Sequence, residues 1–148
     1  MRIKNRLEVQ MELKDVFRTG MKAEQTFLVE EQFTAGHVGS GSLRVLATPS
    51  MIGFMERVAR DLMEENLPEG ISSVGVHVDV RHLAATPVGC VVRVAVEVEK
   101  AEGRRVDFAV EAWDEVEKVG EGCHQRYAID VERFLMRLES KLPNSGSE

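Results

Sequence analysis

The apolar residues of this chain change period partway along it, and the change divides the sequence into elements. In the middle, Ile52, Glu56, Ala59 and Met63 fall at i, i+4, i+7 and i+11. Met51, Met55, Val58 and Leu62 flank that line, and Arg57, Arg60, Asp61 and Glu64 take the opposite side. This is the stripe of an amphipathic helix. Thr48 suits its N-cap and Pro49 its first position, where a missing N–H does no harm. Asn66, Pro68 and Gly70 supply the stop.

Beyond Gly70 the period becomes two. Val74, Val76, Val78 and Val80 alternate with Gly75, His77, Asp79 and Arg81, and His82 falls in register with the valines. Residues 84–89 read as a turn. Val92 to Val98 alternate next, up to Lys100, and Glu102-Gly103 turns the chain into Val106, Phe108, Val110 and Ala112. Val119-Gly120-Glu121-Gly122 reads as an interruption, and Cys123 to Val131 as the last strand. Val131 to Leu142 reads as a short terminal helix carrying Phe134, Leu135 and Leu138.

Ahead of the long helix, residues 22–34 carry Phe27, Val29 and Phe33 and predict a first strand. Gly36 to Ser42 predicts a flexible loop. The charged stretch before Thr19-Gly20 reads either as a short helix, Leu7 to Phe17, or as a loose arm. The order is therefore strand, long helix, then four strands joined by short turns, which makes neighbours antiparallel. That is an α+β arrangement of one helix against a curved antiparallel sheet. The expected division is an arm or short helix over 1–20, a single domain over 21–142 and a disordered tail over 143–148.

Composition narrows the function classes. A chain of 148 residues suits one domain, and 43% hydrophobic residues can build its core. The net charge of −6, with both signs interleaved, leaves no basic stripe for nucleic acid. No apolar run approaches the ~20 residues of a membrane-spanning helix, and Met1 to Leu13 has no signal-peptide core. The expected location is cytoplasmic. Cys90 and Cys123 lack CxxC spacing and read as reduced thiols.

Candidate chemistry comes from residues that break the pattern. Glu56 stands on the apolar stripe and His82 on the apolar side of a strand end. An ionisable group so placed costs several kcal/mol unless it is paired or wetted, so the two suggest one buried acid–base site. Each also has a plainer reading: Glu56 as a helix carboxylate paired to Arg60, His82 as a satisfied core histidine. Thr48 reads first as a helix cap, at a helix end whose free N–H groups suit an oxyanion. His37 sits in the glycine-rich loop, His77 points away from the apolar face, and His124 reads as a surface residue first and a site residue second. There is no HExxH, GxSxG or paired CxxC, and Gly39 to Ser42 lacks the Lys-Ser/Thr ending of a phosphate loop.

Two segments carry a resemblance. Leu46 to Glu56 contains Thr48-Pro49 followed by Glu56. Val80 to Gly89 contains His82-Leu83-Ala84-Ala85-Thr86-Pro87-Val88-Gly89. With Glu102 to Arg105 and Gly120 to Arg126, they are similar to the fluoroacetyl-CoA thioesterase family of the hot dog superfamily, over about Gly20 to Phe134. The resemblance implies a hot dog fold, with a long helix wrapped by an antiparallel sheet. It implies a homodimer, or a tetramer made of two such dimers, with active sites at the subunit interface. It implies a catalytic Thr48, Glu56 and His82, with Gly75 beside the bound thioester.

The expected activity is hydrolysis of a small or medium acyl-CoA, with no metal or redox cofactor and no nucleic-acid or membrane partner. Arg104, Arg105 and Arg126 are candidates for the CoA phosphates. The segment Ala35 to Arg44 is shorter than the family's lid and has no aromatic, which predicts a wider acyl range than fluoroacetyl. The rival expectations are a hydratase or dehydratase acting on acyl thioesters, and a non-catalytic acyl-CoA or metabolite-binding dimer.

Overall fold

The computed structural model describes residues 2–143. The elements are α1 (Arg6–Glu12), β1 (Lys22–Leu28), a 3-10 turn (Glu31–Phe33), α2 (Ala35–Val38), α3 (Thr48–Glu64), β2 (Ile71–His82), β3 (Val91–Glu102), β4 (Arg105–Trp113), β5 (Lys118–Asp130) and α4 (Val131–Glu139). The five strands form one antiparallel sheet in the order β1-β3-β4-β5-β2. Both β1 and β2 are therefore edges. The long helix α3 packs on one face of the sheet and touches all five strands. No helix among the described residues is long and apolar enough to cross a membrane.

The core lies between α3 and the sheet. Met51, Met55, Val58, Ala59 and Met63 meet Val92, Val94, Val98, Phe108 and Val110 with almost no solvent exposure. Phe54 stacks on Phe27 with centroids 4.2 Å apart and meets Phe33 edge-on at 4.9 Å, fixing α3 to β1 and the 3-10 turn. The buried stripe runs through Met51, Phe54, Met55, Val58 and Leu62. Ile52 and Glu56 lie on its margin, half-buried, so the core-facing placement expected for Glu56 is corrected.

Several boundaries differ from the sequence reading. The helix at the N-terminus stops at Glu12, capped at its start by Asn5, whose side chain accepts from the Glu8 N–H. Leu13 and Phe17 are buried all the same, so the arm is docked rather than loose. The first strand ends at Leu28, and Phe33 belongs to the 3-10 turn. Part of the expected flexible loop is helical, since the Thr34 side chain accepts from the His37 N–H and starts α2. Residues 119–122 do not interrupt the last strand but begin it. Gly120 lies under Met51, whose Sδ would be 2.4 Å from an added Cβ. Gly122 lies 2.1 Å, by the same measure, from the Asp79 carbonyl oxygen. Both glycines allow close packing within a strand. α4 is capped by the Asp130 carboxylate and ends at Glu139, short of Leu142. Of the expected tail only Pro143 is described; 144–148 lie outside the described residues.

One irregularity in β2 decides where the site residues point. Gly75 pairs with Arg126 and His77 with Gln125, so Val76 is an extra residue without a ladder partner. A bulge of this kind shifts the pleat by one. Ile71, Ser73 and Gly75 face α3 before it, and Val78, Val80 and His82 face α3 after it. Val76 is pushed out and is 50% exposed. The four valines thus do not share a face, contrary to their smooth alternation in the sequence.

Candidate active site

Thr48 opens α3, but its side chain does not cap the helix. Ala47 holds the cap position and makes no side-chain cap bond. The Thr48 hydroxyl instead lies 2.7 Å from Nδ1 of His82, at the end of β2. This corrects the capping role: the imidazole has taken the oxygen that would otherwise turn back to a backbone N–H. The other ring nitrogen of His82, Nε2, is buried and has no hydrogen-bond partner among the described residues. Burial lowers the proton affinity of His82, and the nearby Ala84 carbonyl offsets this only in part. A cleft of about 400 Å³ opens beside the pair, lined by Ala35, Ser40, Val45, Leu83 and Ala85.

The segment after His82 is held by Thr86, which is fully buried. Its hydroxyl donates to Asp114 Oδ2 at 2.9 Å, and its carbonyl accepts from the Leu46 N–H at 2.8 Å. Thr86 therefore ties the β2 exit both to the β4–β5 connection and to the chain entering α3. The motif around His82 is in this respect a brace that sets the ring against Thr48.

Glu56 lies two turns along α3, eight residues from Thr48 and so about 12 Å further along the axis. Its carboxylate faces Gly75, His124 and Arg126. An added Cβ at Gly75 would stand 2.9 Å from Glu56 Oε2, 3.1 Å from His124 Cε1 and 3.3 Å from Arg126 Nη1. Glycine lets the strand pass this close without displacing the carboxylate. The Arg126 guanidinium is 4.0 Å from Glu56, and the Glu56 side chain is 41% exposed.

Arg126 is locked behind the carboxylate. It donates from Nε to the Ser73 hydroxyl at 3.0 Å, from Nη2 to the Ser73 carbonyl at 3.2 Å, and from Nη1 to His124 Nε2 at 3.1 Å. His124 in turn donates from Nδ1 to the His77 carbonyl at 2.8 Å, which fixes its neutral tautomer. Desolvation pushes the His124 ring toward its neutral form, with the Arg126 charge acting in the same direction. Burial also lowers the Arg126 value, opposed by Glu56, and the guanidinium stays charged. The result is a rigid cation at the back of a solvent-reaching carboxylate.

The structure therefore divides the expected constellation. Within one chain Thr48 and His82 meet, and Glu56 and Gly75 meet. Two expectations need correction here. Arg126 is 6% exposed and engaged by Ser73 and His124, so it cannot reach out to a phosphate. His124, expected at the surface, is 1% exposed and belongs to the Glu56 cluster. Its register with Arg126 and Ala128 on β5 was the available signal, since the three alternate on one face. Arg105 is paired with Asp107 at 3.1 Å. Arg104 lies over the Tyr127 ring and donates to the Ala128 carbonyl at 3.2 Å, in a small cleft with Lys4, Arg6, Arg133 and Arg137. Desolvation and the charges of Arg6 and Arg133 lower its proton affinity. Cys90 and Cys123 are free thiols, as expected.

Comparison with known proteins gives a consistent picture. A family model described as fluoroacetyl-CoA-specific thioesterase matches residues 29–132. The fluoroacetyl-CoA thioesterase of Streptantibioticus cattleyicolor is 35% identical over 137 residues, 88% of this chain and 99% of that protein. A solved structure of a fluoroacetyl-CoA thioesterase superposes with a TM-score of 0.81 at 34% identity, covering 86% of this chain and 98% of that one. A hot-dog-like protein from Thermanaerovibrio acidaminovorans gives a TM-score of 0.83 at 25% identity, over 90% of this chain and 99% of its own. A thioesterase superfamily member from Thermus thermophilus gives 0.76 at 32% identity, over 84% and 94%.

Proposed function

This chain belongs to the fluoroacetyl-CoA-specific thioesterase family, and from that premise we propose that it hydrolyses a small or medium acyl-CoA thioester to the free acid and CoA. The acyl range is wider than fluoroacetyl, because the segment from Ala35 to Arg44 places no aromatic side chain over the cleft.

One observation carries the mechanism. Each half of the site is incomplete within a single chain: His82 Nε2 is buried without a partner, and Glu56 faces solvent. A second copy completes both. β2 is a 12-residue sheet edge, and a two-fold pairing of β2 with β2 would satisfy it. The same operation sets the two α3 helices antiparallel. Thr48 and His82 of one protomer then face Glu56 and Gly75 of its partner.

In this arrangement the Thr48 hydroxyl donates a hydrogen bond to His82 Nδ1, so that the neutral ring carries its single proton on Nε2. Glu56 takes a proton from water, which attacks the acyl carbon, or attacks that carbon itself to give an anhydride that water then opens. The C–S bond breaks and the proton drawn from water reaches the departing thiolate by way of His82, which ends neutral as it began. The first-turn N–H groups of α3, with no intrahelical acceptor, face the developing oxyanion. Such donors are worth roughly 3–4 kcal/mol each in other enzymes. Arg126, 4.0 Å away, keeps Glu56 aimed. Arg104, with Arg6, Arg133 and Arg137, receives the nucleotide phosphates.

The test mixes two inactive variants. Glu56→Gln and His82→Ala are each expected to lose CoA release while remaining folded by circular dichroism. Equal amounts are unfolded together and refolded. If Glu56 and His82 act across the interface, each hybrid dimer has one intact site, so roughly a quarter of wild-type activity returns. Full activity in either single variant removes the mechanism, and no recovery in the mixture removes the shared site. CoA release itself separates hydrolysis from hydration of an enoyl-CoA and from binding without turnover.

A further inference from the structure

The outer face of the sheet, turned away from α3, carries a cluster that the hydrolytic site does not use. His77 and Asp79 stand two residues apart on β2, and Cys123 is the cross-strand partner of Asp79 on β5. Alternate residues on a strand share a face, and direct cross-strand neighbours lie about 4.5–5.5 Å apart at Cβ. One ligand atom from each of the three, an imidazole nitrogen, a carboxylate oxygen and the sulfur, lies within 4.8 Å of the others.

The chemistry of this set is specific. Tetrahedral zinc holds sulfur at about 2.3 Å and nitrogen or oxygen at about 2.0–2.2 Å, so its ligands sit roughly 3.5 Å from one another. Closing the cluster onto an ion needs only about an ångström of side-chain movement, and His77 and Asp79 are exposed and free to make it. A thiolate, an imidazole and a carboxylate together favour zinc over calcium or magnesium, which take oxygen ligands. Asp79, Glu99 and Asp107 place negative charge about the Cys123 thiol, with Arg105 paired to Asp107 and Arg81 lining the same depression. The small residues Ala109 and Gly122 leave a shallow depression beside it.

We propose that His77, Asp79 and Cys123 form a three-ligand site for zinc or a zinc-like divalent cation, with the fourth position open to water. The ion would clamp the edge strand β2 to β5 behind the bulge that aims Gly75 at Glu56. Pairing of β2 edges between protomers leaves these side chains free, since they project from the sheet face and not along the ladder. The site is independent of the hydrolytic reading.

The experiment uses untagged, chelator-treated full-length protein. Titration with Co²⁺ is expected to give a thiolate-to-metal charge-transfer band saturating at one ion per chain. Competition against a chromophoric chelator gives the Zn²⁺ affinity. Cys123→Ser should remove the band and weaken Zn²⁺ binding by at least about tenfold, the scale on which metal sites respond to loss of a contributing group. His77→Ala should also weaken it, whereas Cys90→Ser should leave both measurements unchanged. Zn²⁺ should raise the melting temperature of the wild type and not of Cys123→Ser. Absence of the band in the wild type, or equal Zn²⁺ affinity in Cys123→Ser, overturns the proposal.

Discussion

Replacing Gly75 with alanine tests the Glu56 cluster most directly, because the added atom meets the proposed base first. Ordinary contact with a Cβ begins at 3.4 Å, whereas Glu56 Oε2 would stand at 2.9 Å and His124 Cε1 at 3.1 Å. The shortfalls are 0.5 Å (3.4 − 2.9) and 0.3 Å (3.4 − 3.1). His124 is held between the His77 carbonyl and Arg126, and Arg126 is held by Ser73. Glu56 is the free end of a flexible side chain, so it is the group that gives way. A misplacement of about 1 Å at a reacting group costs on the order of a hundredfold. Half that predicts a loss of about tenfold in kcat, equivalent to about 1.4 kcal/mol. Stability should fall by less than the full ~1–3 kcal/mol of an overpacked core, because the neighbour can move. The assay is CoA release across substrate concentrations, with thermal melting alongside. Glu56→Asp, shorter by one methylene, removes the collision with the carboxylate, so adding Gly75→Ala in that background should cost less activity. Wild-type kcat in Gly75→Ala, or the same loss in both backgrounds, would refute the steric argument.

Three measurements of other kinds test the remaining parts of the site. His82 and His124 both bind a proton less readily when folded than the ordinary value of 6.5, chiefly through burial. The unfolded chain therefore takes up the extra protons, so stability is complete above about 6.5 and is lost as pH falls through the lower folded values. The melting temperature should drop between pH 7 and pH 5, and a flat profile there would contradict the burial of these rings. Thr86→Val strips the buried donor from Asp114 without changing shape. It should cost about 1–3 kcal/mol, read as a lower melting temperature. Arg104→Gln should raise KM for an acyl-CoA and leave KM for the matching acyl-pantetheine, which lacks the nucleotide, unchanged. An unaltered KM for both would move the phosphates elsewhere.

What the sequence discloses about this site, and what it conceals, follows from one rule: hydropathy reports burial only when the buried residue is apolar. The long helix was legible because its stripe is built from methionine, valine and leucine. Glu56 and His82 were legible because they interrupt apolar runs. His124 and Arg126 were not, because a polar pair on the inner face of β5 has the hydropathy of a solvent face. Their burial depends on each satisfying the other, with Ser73 and the His77 carbonyl taking the remaining hydrogen bonds. Residues 119–122 misled for a related reason. Glycine signals a turn when read locally, and here Gly120 makes room for Met51.

The bulge at Val76 was the least visible feature and has the widest effect. A valine every second residue from Val74 to Val80 describes an unbroken strand, and nothing local marks the extra residue. It is required by facts distant in sequence. Gly75 must face α3, because Glu56, His124 and Arg126 crowd the space a Cβ would fill. His82 must face α3 too, because it meets Thr48. Gly75 and His82 are seven residues apart, an odd number, so on a regular strand they would point to opposite faces. One inserted residue reconciles them, at the cost of a ladder position and an exposed valine. The parity of that spacing, once both residues are assigned to one site, is enough to demand an irregularity between them.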